Sequence, residues 1–247
     1  MGRKRDIFFA AIILFLTWEA AALLLHSMAL PQPWEVLADF LVKIADGRLI
    51  DDFFISALRA VSGIFLAFVA AVPLGLVVGA APSWTKRVSP FIYLLYPIPH
   101  VVLLPLVIIL FGIGELSKIF LIALIVFFQV LVTTRDGAKN IHQNYFYSMQ
   151  TLGAKPFQIY RHLVLPATLP KILTAMRISI GTAVAILFFV ESFATSKGLG
   201  YIIMDSWGQS DYISLYTGIF SMAILGFILY MVLDRMERWI CRWMVVR

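Results

Sequence analysis

The stretch LGAKPFQIYRHLVLPATLP, residues 152–170, carries two basic residues, a glycine, a histidine and three prolines inside a mostly apolar chain. The 247 residues are 61% hydrophobic and only 14% charged, and their mean hydropathy is +0.91. Soluble domains are about 45–50% apolar and about 25% charged. The composition therefore predicts an all-α integral membrane protein, in which this stretch is a polar interruption between apolar runs.

Six apolar runs approach the length of about 20 residues that a helix needs to cross the hydrocarbon core. We predict transmembrane helices over roughly residues 7–25, 56–80, 90–113, 117–134, 172–194 and 213–233. Together they form one transmembrane domain over residues 1–247. The first run imitates a secretory signal peptide, but it is long for one and Trp18 and Glu19 interrupt it, so we expect it to be retained.

The distribution of basic residues predicts the orientation of these helices. With the N-terminus in the cytoplasm, 15 of the 20 Lys and Arg lie on the cytoplasmic side and 5 lie outside. Cytoplasmic segments of membrane proteins are enriched in Lys and Arg, so both termini are predicted to be cytoplasmic. Arg59 is expected at the surface or reaching towards it, and Arg177 is expected to anchor its helix to the headgroups.

The segment 31–55 differs from the membrane runs because apolar residues recur at helical spacing between charged ones. Trp34, Leu37, Phe40, Leu41 and Ile44 form the apolar side. The pattern predicts a short amphipathic helix at the outer surface, which either lies against lipid or packs on its own protein.

Several classes of site are disfavoured by residue counts. The single cysteine, Cys241, excludes an internal disulfide and a cysteine metal cluster, and the four scattered histidines suggest no metal site. No internal repeat is visible, so a symmetric transport pathway would have to be formed by two chains.

The polar insert 135–171 has the pattern of two short helices around a glycine. Residues 141–152 read as one helix, which Gly153 ends, because glycine favours the residue after a helix. Pro156 suits the first turn of a second helix, and Pro166 and Pro170 are expected to stop that helix before Ile172 begins the next span. The loop 141–170 is therefore predicted to be a shaped docking element on the cytoplasmic face.

The spacing in this loop resembles the signature loop of inner-membrane permeases of ATP-binding-cassette importers. That loop reads Glu-Ala-Ala, three residues, Gly, nine residues, Ile-x-Leu-Pro. Here Gly153 is followed by nine residues and then by LVLP, residues 163–166. The acidic start differs, because Tyr147, Ser148 and Met149 stand where Glu-Ala-Ala would be.

Further motifs along the chain resemble the nitrate, sulfonate, taurine and bicarbonate subfamily of these permeases. They are LPQPWEV (30–36), VPLG (72–75), YPIP (96–99), FGIGELSKIFLIAL (111–124) and SKGLGYII (196–203). The resemblance implies a permease of a bacterial inner membrane, working with a second copy of itself, two separate ATPase subunits and an extracytoplasmic solute-binding protein, and without nucleic acid. The solute would be nitrate, a sulfonate such as taurine, bicarbonate or a thiamine precursor.

In this family the loop acts as a coupling helix that sits in a groove of the ATPase. The chain has no G-x-x-x-x-G-K-[ST] phosphate loop. We therefore expect no enzyme activity and no cofactor in this chain, with ATP and Mg bound by the partner.

The residues expected at the coupling contact are Leu152, Gly153, Ala154, Lys155, Pro156, Phe157 and Tyr160. Packing against the protein's own helices remains open for Phe157 and Tyr160, and plain exposure or contact with lipid phosphate remains open for Lys155 and Arg161.

A second group of residues is a candidate for the translocation path. Pro97, Pro99 and Pro105 are expected to break the third span, and broken helices expose backbone groups that can line a cavity. The path candidates are Pro97, Pro99, His100, Gln129 and Glu191. For Glu191 the structural role is favoured over the path, Gln129 is equally open to a packing hydrogen bond, and Glu19 is interpreted as a structural acid. Gly75 and Gly79, spaced as G-x-x-x-G, are expected to serve close helix packing.

Two other functional classes are weighed against a permease subunit. An ion-coupled secondary transporter or channel usually shows internal repeats or several intramembrane charges, whereas only Glu19 and Glu191 lie within the predicted spans. An intramembrane enzyme would need a nucleophile with a base, or metal ligands at suitable spacing, and neither pattern occurs.

Overall fold

A computed structural model describes residues 2–193 and 195–241, except the side chains of residues 2–4, 7 and 8. The end of the predicted span 172–194 and the C-terminal residues 242–247 lie outside the described residues. Within the described part the chain is helical, without a strand, in agreement with the predicted all-α class. The helices are α1 (Gly2–Leu25), α2 (Pro33–Ala45), α3 (Arg48–Ala80), α4 (Pro82–Leu95), α5 (Leu104–Phe111), α6 (Glu115–Lys139), α7 (Gln143–Thr151), α8 (Pro156–Ile159), α9 (Leu165–Glu191), α10 (Leu199–Gly208) and α11 (Tyr212–Ile240).

Four described helical runs are long and apolar enough to cross a bilayer, namely α3, α6, the continuous run Pro156–Glu191 and α11. A fifth candidate arises if α4 and the segment His100–Phe111, which meet at a bend of 77°, count as one span. The apolar part of α1, Phe9–Leu25, is shorter than these. Five of the six predicted runs thus coincide with candidate spans or with the bent pair.

By its contacts the chain divides into two compact units, Met1–Ser56 with Glu191–Leu225, and Ala57–Val190 with Gly226–Arg247. The single domain predicted over residues 1–247 thus contains two contact units. Three helices, α3, α9 and α11, contribute residues to both units.

In the first unit, the amphipathic helix α2 packs on the first half of α11. The rings of Phe40 and Phe220 meet edge to face at 5.2 Å, and the hydroxyl of Thr217 donates to Asp39 Oδ2 over 2.6 Å. Packing on its own protein is therefore observed for one side of the predicted amphipathic helix. Trp34 and Leu41 on α2 remain exposed.

Polar side chains reinforce the contact of α2 with α11. Lys43 Nζ donates to Asp39 Oδ2 at 2.6 Å and to Ser214 Oγ at 2.5 Å. Hydrogen bonding to Ser214, and the nearby charge of Lys43, lower the pKa of Asp211 at the start of α11. These bonds fix α2 to α11 through side chains more than 170 positions apart in the sequence.

The same unit holds the end of α1. Trp18 donates its ring N–H to the carbonyl of Pro31 at 3.0 Å, and its ring lies 5.6 Å from that of Tyr216. The neighbouring Glu19 is partly buried, and its Oε2 atom is buried without a hydrogen-bond partner among the described residues.

In the second unit, α3 and α6 approach closely through glycines, as the G-x-x-x-G pattern predicted. A Cβ atom built on Gly75 would lie 2.7 Å from the Cβ of Thr134, and one on Gly79 would overlap the carbonyl oxygen of Arg135. Close approach of this kind allows extensive van der Waals contact between apolar helices in lipid. The prediction of a packing role for this glycine pair is confirmed.

The prediction that Pro166 and Pro170 stop the second docking helix is wrong. The helix runs without a break from Pro156 to Glu191, over 36 residues, and Ile172 lies well inside it. Both prolines are therefore accommodated in a continuous helix.

A π-helical turn explains how the helix continues through the first proline. Residues Tyr160–Val164 form this turn, and the N–H of Leu165 donates to the carbonyl of Tyr160. A proline ring crowds the carbonyl four positions earlier, and the wider π turn provides room for the ring of Pro166. At the second proline, the hydroxyl of Thr174 donates to the carbonyl of Pro170 at 3.0 Å.

We predict that Gly79→Ala destabilises the protein, because the added methyl group meets backbone that cannot rotate away. Overpacking of this kind costs about 1–3 kcal/mol. Gly181→Ala in α9 is the matched control, since nothing lies within 4 Å of its Cβ position. Thermal midpoints of the detergent-solubilised protein measure both changes. Equal midpoints for the two variants would contradict the close α3–α6 contact.

Candidate functional site

The predicted docking loop consists of a helix, a glycine turn and a second helix. His142 Nδ1 accepts a hydrogen bond from the N–H of Asn144 at 3.3 Å and so caps α7. At the other end Gly153 adopts φ +72°, a conformation that side chains disfavour. The N–H of Gly153 donates to the carbonyl of Gln150 at 2.9 Å, and that of Ala154 to Met149 at 3.0 Å. This pair of bonds is the Schellman motif, so the prediction that Gly153 ends this helix is confirmed.

The second helix begins where the sequence predicted it. Pro156 occupies the first turn, and the N–H of Lys155 donates to Oε1 of Gln158 at 2.7 Å. From there the helix is continuous to Glu191. The docking loop is thus joined directly to a candidate membrane span, without a flexible linker.

The surface of this loop combines exposed apolar and basic side chains with neutral polar ones. Leu152 is 82% exposed and Phe157 is 70% exposed. Lys155 and Pro156 are also exposed, whereas Ala154 and Tyr160 are partly buried. Packing of Phe157 against the protein's own helices is therefore not observed, although Tyr160 does pack partly in this way.

Arg177 on α9 has protein partners in the second unit instead of a purely headgroup-facing position. Its guanidinium forms an ion pair with Glu237, lies 3.6 Å from Asp234 and sits over the ring of Tyr230 at 5.7 Å. All three partners belong to the C-terminal half of α11. This contact fixes α11 to the helix that carries the docking loop.

The third predicted span is broken, as the prolines indicated. α4 ends at Leu95, and the following segment departs from its axis by 77°. Pro97 and Pro99 lie in the break, whereas Pro105 starts α5 instead of interrupting it. The ring of His100 stacks on Phe128 of α6 at 4.6 Å. Gln129, the next residue of α6, is partly buried.

Glu191 ends α9 in a fully buried hydrogen-bond network of the first unit. The hydroxyl of Ser56 lies 2.8 Å from both carboxylate oxygens, and the N–H of Gly200 donates to Oε2 at 2.9 Å. The sequence left open whether Glu191 lines the path or has a structural role, and these contacts agree with the structural role.

Two further residues of this network, Ser56 and Asp52, were not predicted from the sequence. Ser56 Oγ accepts the N–H of Leu199 at 2.8 Å, and Asp52 Oδ1 accepts the N–H of Gly198 at 2.6 Å. Free N–H groups at a helix start need such acceptors. Gly198, with φ +115°, makes the turn into α10 and accounts for a glycine of the SKGLGYII motif. The signal that could have identified them is the four-residue spacing of Asp52 and Ser56, which puts an acid and a hydroxyl on one side of the start of α3.

The expectation that Arg59 lies at the surface is wrong. Only 2% of the residue is exposed. Its Nε and Nη2 atoms bind the two carboxylate oxygens of Glu115 at 2.6 and 2.5 Å. Lys118 lies 3.8 Å from the same carboxylate. The planar guanidinium fork matches a carboxylate in this two-pronged geometry, which holds the start of α6 against α3.

Comparison with known proteins places this arrangement of helices in one family. Residues 54–246 match the family of binding-protein-dependent transport system inner membrane components. The chain belongs to this family. Among its relatives is the taurine transport system permease protein TauC of Escherichia coli (strain K12), 32% identical, with 94% of this chain and 87% of the relative covered.

Other relatives carry different names within this family of permeases. The putative aliphatic sulfonates transport permease protein SsuC of Bacillus subtilis (strain 168) is 32% identical, with 98% of this chain and 90% of the relative covered. The formylaminopyrimidine transport permease protein ThiX of Halalkalibacterium halodurans is 28% identical, with 94% and 93% covered. The family describes a transport subunit, not an ATPase.

Two solved structures share the fold. An inward-facing structure of the MetNI methionine ABC transporter superimposes with a TM-score of 0.65 at 19% identity, covering 79% of this chain and 97% of that chain. A bacterial ABC transporter involved in the import of alginate gives 0.61 at 19% identity, covering 96% and 97%. The chain thus has the helical fold of an ABC permease. Among the described residues, no group of three or more His, Cys, Asp or Glu could hold a metal ion.

We predict that Glu115→Gln destabilises this permease, because the buried Arg59 guanidinium loses the charge of a carboxylate that binds it at two points. A lost bond to a charged group costs about 1.5–3 kcal/mol. Combining Arg59→Met with Glu115→Gln removes both charges and should cost less than the sum of the single changes. A double-mutant cycle of thermal midpoints measures this coupling. Additive effects would contradict the pairing of Arg59 with Glu115.

Proposed function

We propose that this permease is the membrane half of an importer that works as a dimer of two copies with two separate ATPase subunits. An extracytoplasmic binding protein would deliver the solute. The observation that carries the proposal is the exposed glycine turn at Gly153, joined without a break to the helix Pro156–Glu191. An exposed apolar turn at the end of a long helix is suited to transmit movement from a bound partner.

In the proposed membrane arrangement, α1, α3, the bent pair α4–α5, α6, the run Pro156–Glu191 and α11 form six spans. The excess of Lys and Arg in the loops assigned to the cytoplasm supports an N-terminus inside the cell. The family description supports location in an inner membrane, which we propose to be that of a bacterium.

The proposed translocation path runs along the broken third span. Pro97 and Pro99 leave backbone groups outside a regular helix, and polar backbone at membrane depth is tolerated only where protein or a water-filled cavity surrounds it. His100 directly follows this break, and we propose that it and Gln129 contact the solute or the water around it. Glu191 is left out of this path, because its carboxylate is fully buried and hydrogen-bonded.

The solute is proposed to be small and polar. Relatives of this permease are named for taurine, aliphatic sulfonates and formylaminopyrimidine. A sulfonate such as taurine is therefore the first solute to test, followed by formylaminopyrimidine-like thiamine precursors, nitrate and bicarbonate. A binding protein performs the initial selection in such a system, so its ligand identifies the solute most directly.

We predict that Gly153→Val uncouples ATP hydrolysis from transport in proteoliposomes that contain the permease, its cognate ATPase and its binding protein. A β-branched residue strains the left-handed conformation at this position. The turn and the exposed Leu152 beside it would be displaced. ATP-dependent solute uptake should fall at least tenfold, a loss typical of a misplaced contact of about 1.4 kcal/mol or more.

Gly47→Val is the matched control. Gly47 has φ +79° and open space around its Cβ position, as Gly153 does, but it joins α2 to α3. The same backbone strain there should leave coupling intact. If Gly153→Val transports as well as Gly47→Val, or if the ATPase never associates with the chain, the proposed coupling role is wrong.

A further inference from the structure

We propose that the docking loop binds a groove with an apolar floor and a carboxylate-bearing rim on its ATPase. We call the exposed residues Tyr145, Tyr147, Leu152, Lys155, Phe157 and Arg161 the docking patch. The inference rests on the proposed coupling function and adds the chemistry of the partner surface. Its central claim is that the permease supplies the positive charges of this interface and the ATPase supplies the negative ones.

The charge distribution around the docking patch is one-sided. Residues 137–190 contain no Asp or Glu. Lys139, Lys155, Arg161 and Lys171 in this region are all exposed. The acid that precedes the region, Asp136, accepts hydrogen bonds from Arg135 at 2.8 and 2.9 Å. No carboxylate of the segment 137–190 therefore compensates the positive charge of the loop.

The apolar part of the patch is equally distinct. Tyr145, Tyr147, Leu152 and Phe157 are each at least 60% exposed. Aromatic side chains and Arg are the residues most often responsible for binding energy when they enter a desolvated pocket. A partner gains from this surface only if it offers an apolar floor that removes these side chains from water.

The serine and threonine hydroxyls of α7 and the N–H groups of the turn after it are hydrogen-bonded within the loop. The Ser148 hydroxyl donates to the carbonyl of Asn144, and the Thr151 hydroxyl donates to that of Tyr147, both at 2.9 Å. The N–H groups of Gly153 and Ala154 are bonded within the Schellman motif. The recognition chemistry that remains is therefore supplied by rings, aliphatic groups and cations, together with the exposed amides of α7.

Positions 147 and 158 could each carry an acid in a docking loop, but both carry neutral side chains here. Tyr147 stands where the resembling signature loop begins with glutamate, and it is 60% exposed. Gln158, not Glu, accepts the N–H of Lys155 at the start of α8. An ATPase groove that relied on a cation would find no counter-charge here. A groove with acidic residues would attract Lys155 and Arg161 and would repel an acid placed at position 147.

A lipid surface is the competing partner for aromatic and basic side chains. Membrane-surface helices bury one long apolar face, whereas α7 has nine residues and carries Gln143, Asn144 and Gln150 among its rings. The apolar groups of the patch lie on α7, on the glycine turn and on the first turn of the long helix Pro156–Glu191. Because these groups are divided between two helices and a turn, they fit a protein groove better than a flat lipid surface.

The test measures binding of the purified cognate ATPase to the full-length permease in phosphatidylcholine nanodiscs. One variant, called the double reversal, combines Lys155→Glu with Arg161→Glu. A second variant carries Tyr147→Glu alone. Lys86→Glu on α4, an exposed cation outside the docking loop, is the matched control. The double reversal should weaken binding at least about tenfold at ~0.1 M salt, and Tyr147→Glu should also weaken it. At ~1 M salt the effect of the double reversal should shrink, because the Debye length falls from ~10 Å to ~3 Å.

Tighter binding by Tyr147→Glu, or a double reversal no weaker than Lys86→Glu, would overturn the acidic-rim proposal while leaving the coupling function intact. A defect of the double reversal that appears only when anionic phosphatidylglycerol is added would assign Lys155 and Arg161 to lipid headgroups, which also overturns it. Absence of ATPase binding by the wild-type permease at every salt concentration would contradict the proposed function itself. A separate readout, transport in proteoliposomes, then shows whether another partner drives uptake.

Discussion

The continuity of the helix Pro156–Glu191 is the constraint on which the rest of the structure depends. Its 36 residues extend over about 54 Å at 1.5 Å per residue. At one end Gly153 turns the chain into the docking loop, and at the other end Glu191 accepts the hydroxyl of Ser56 and the N–H of Gly200. A break at either proline would separate these two ends, and the π turn Tyr160–Val164 carries the helix into Pro166 without one.

The interior of the protein combines close apolar contacts with a few polar bonds whose partners are distant in sequence. Gly75 and Gly79 bring α3 against α6, and the pair of Arg59 with Glu115 joins the same two helices. Arg177 joins α9 to the C-terminal half of α11. Because lipid solvates apolar side chains as well as protein does, packing and polar bonds must supply the specificity of helix association in such a protein.

The sequence predicted local features of the fold well. Gly153 and Pro156 were assigned correctly, because helix ends depend on the conformation of one or two residues. The break near Pro97 and Pro99 followed from the same local restriction of the backbone. The six-span arrangement and its orientation remain proposals that rest on hydropathy and on the charge bias.

The failures concern contacts that local patterns do not encode. The helix stops predicted at Pro166 and Pro170 do not occur, and a proline in the sequence alone does not reveal a π turn before it. Arg59 was placed at the surface, since its partner Glu115 lies 56 positions away and only the fold brings them together. Ser56 was missed for the same reason, because its role depends on α10, which follows more than 140 residues later.

Site-specific photo-cross-linking tests the central claim, that the loop 141–170 contacts an ATPase, most directly. A photoreactive phenylalanine analogue would replace Leu152, which is 82% exposed on the glycine turn, or Leu110, which is 67% exposed on α5. In membranes that contain the cognate ATPase, position 152 should cross-link to the ATPase and position 110 should not. Cross-links from position 152 to lipid alone, or equal ATPase cross-linking from both positions, would contradict the account.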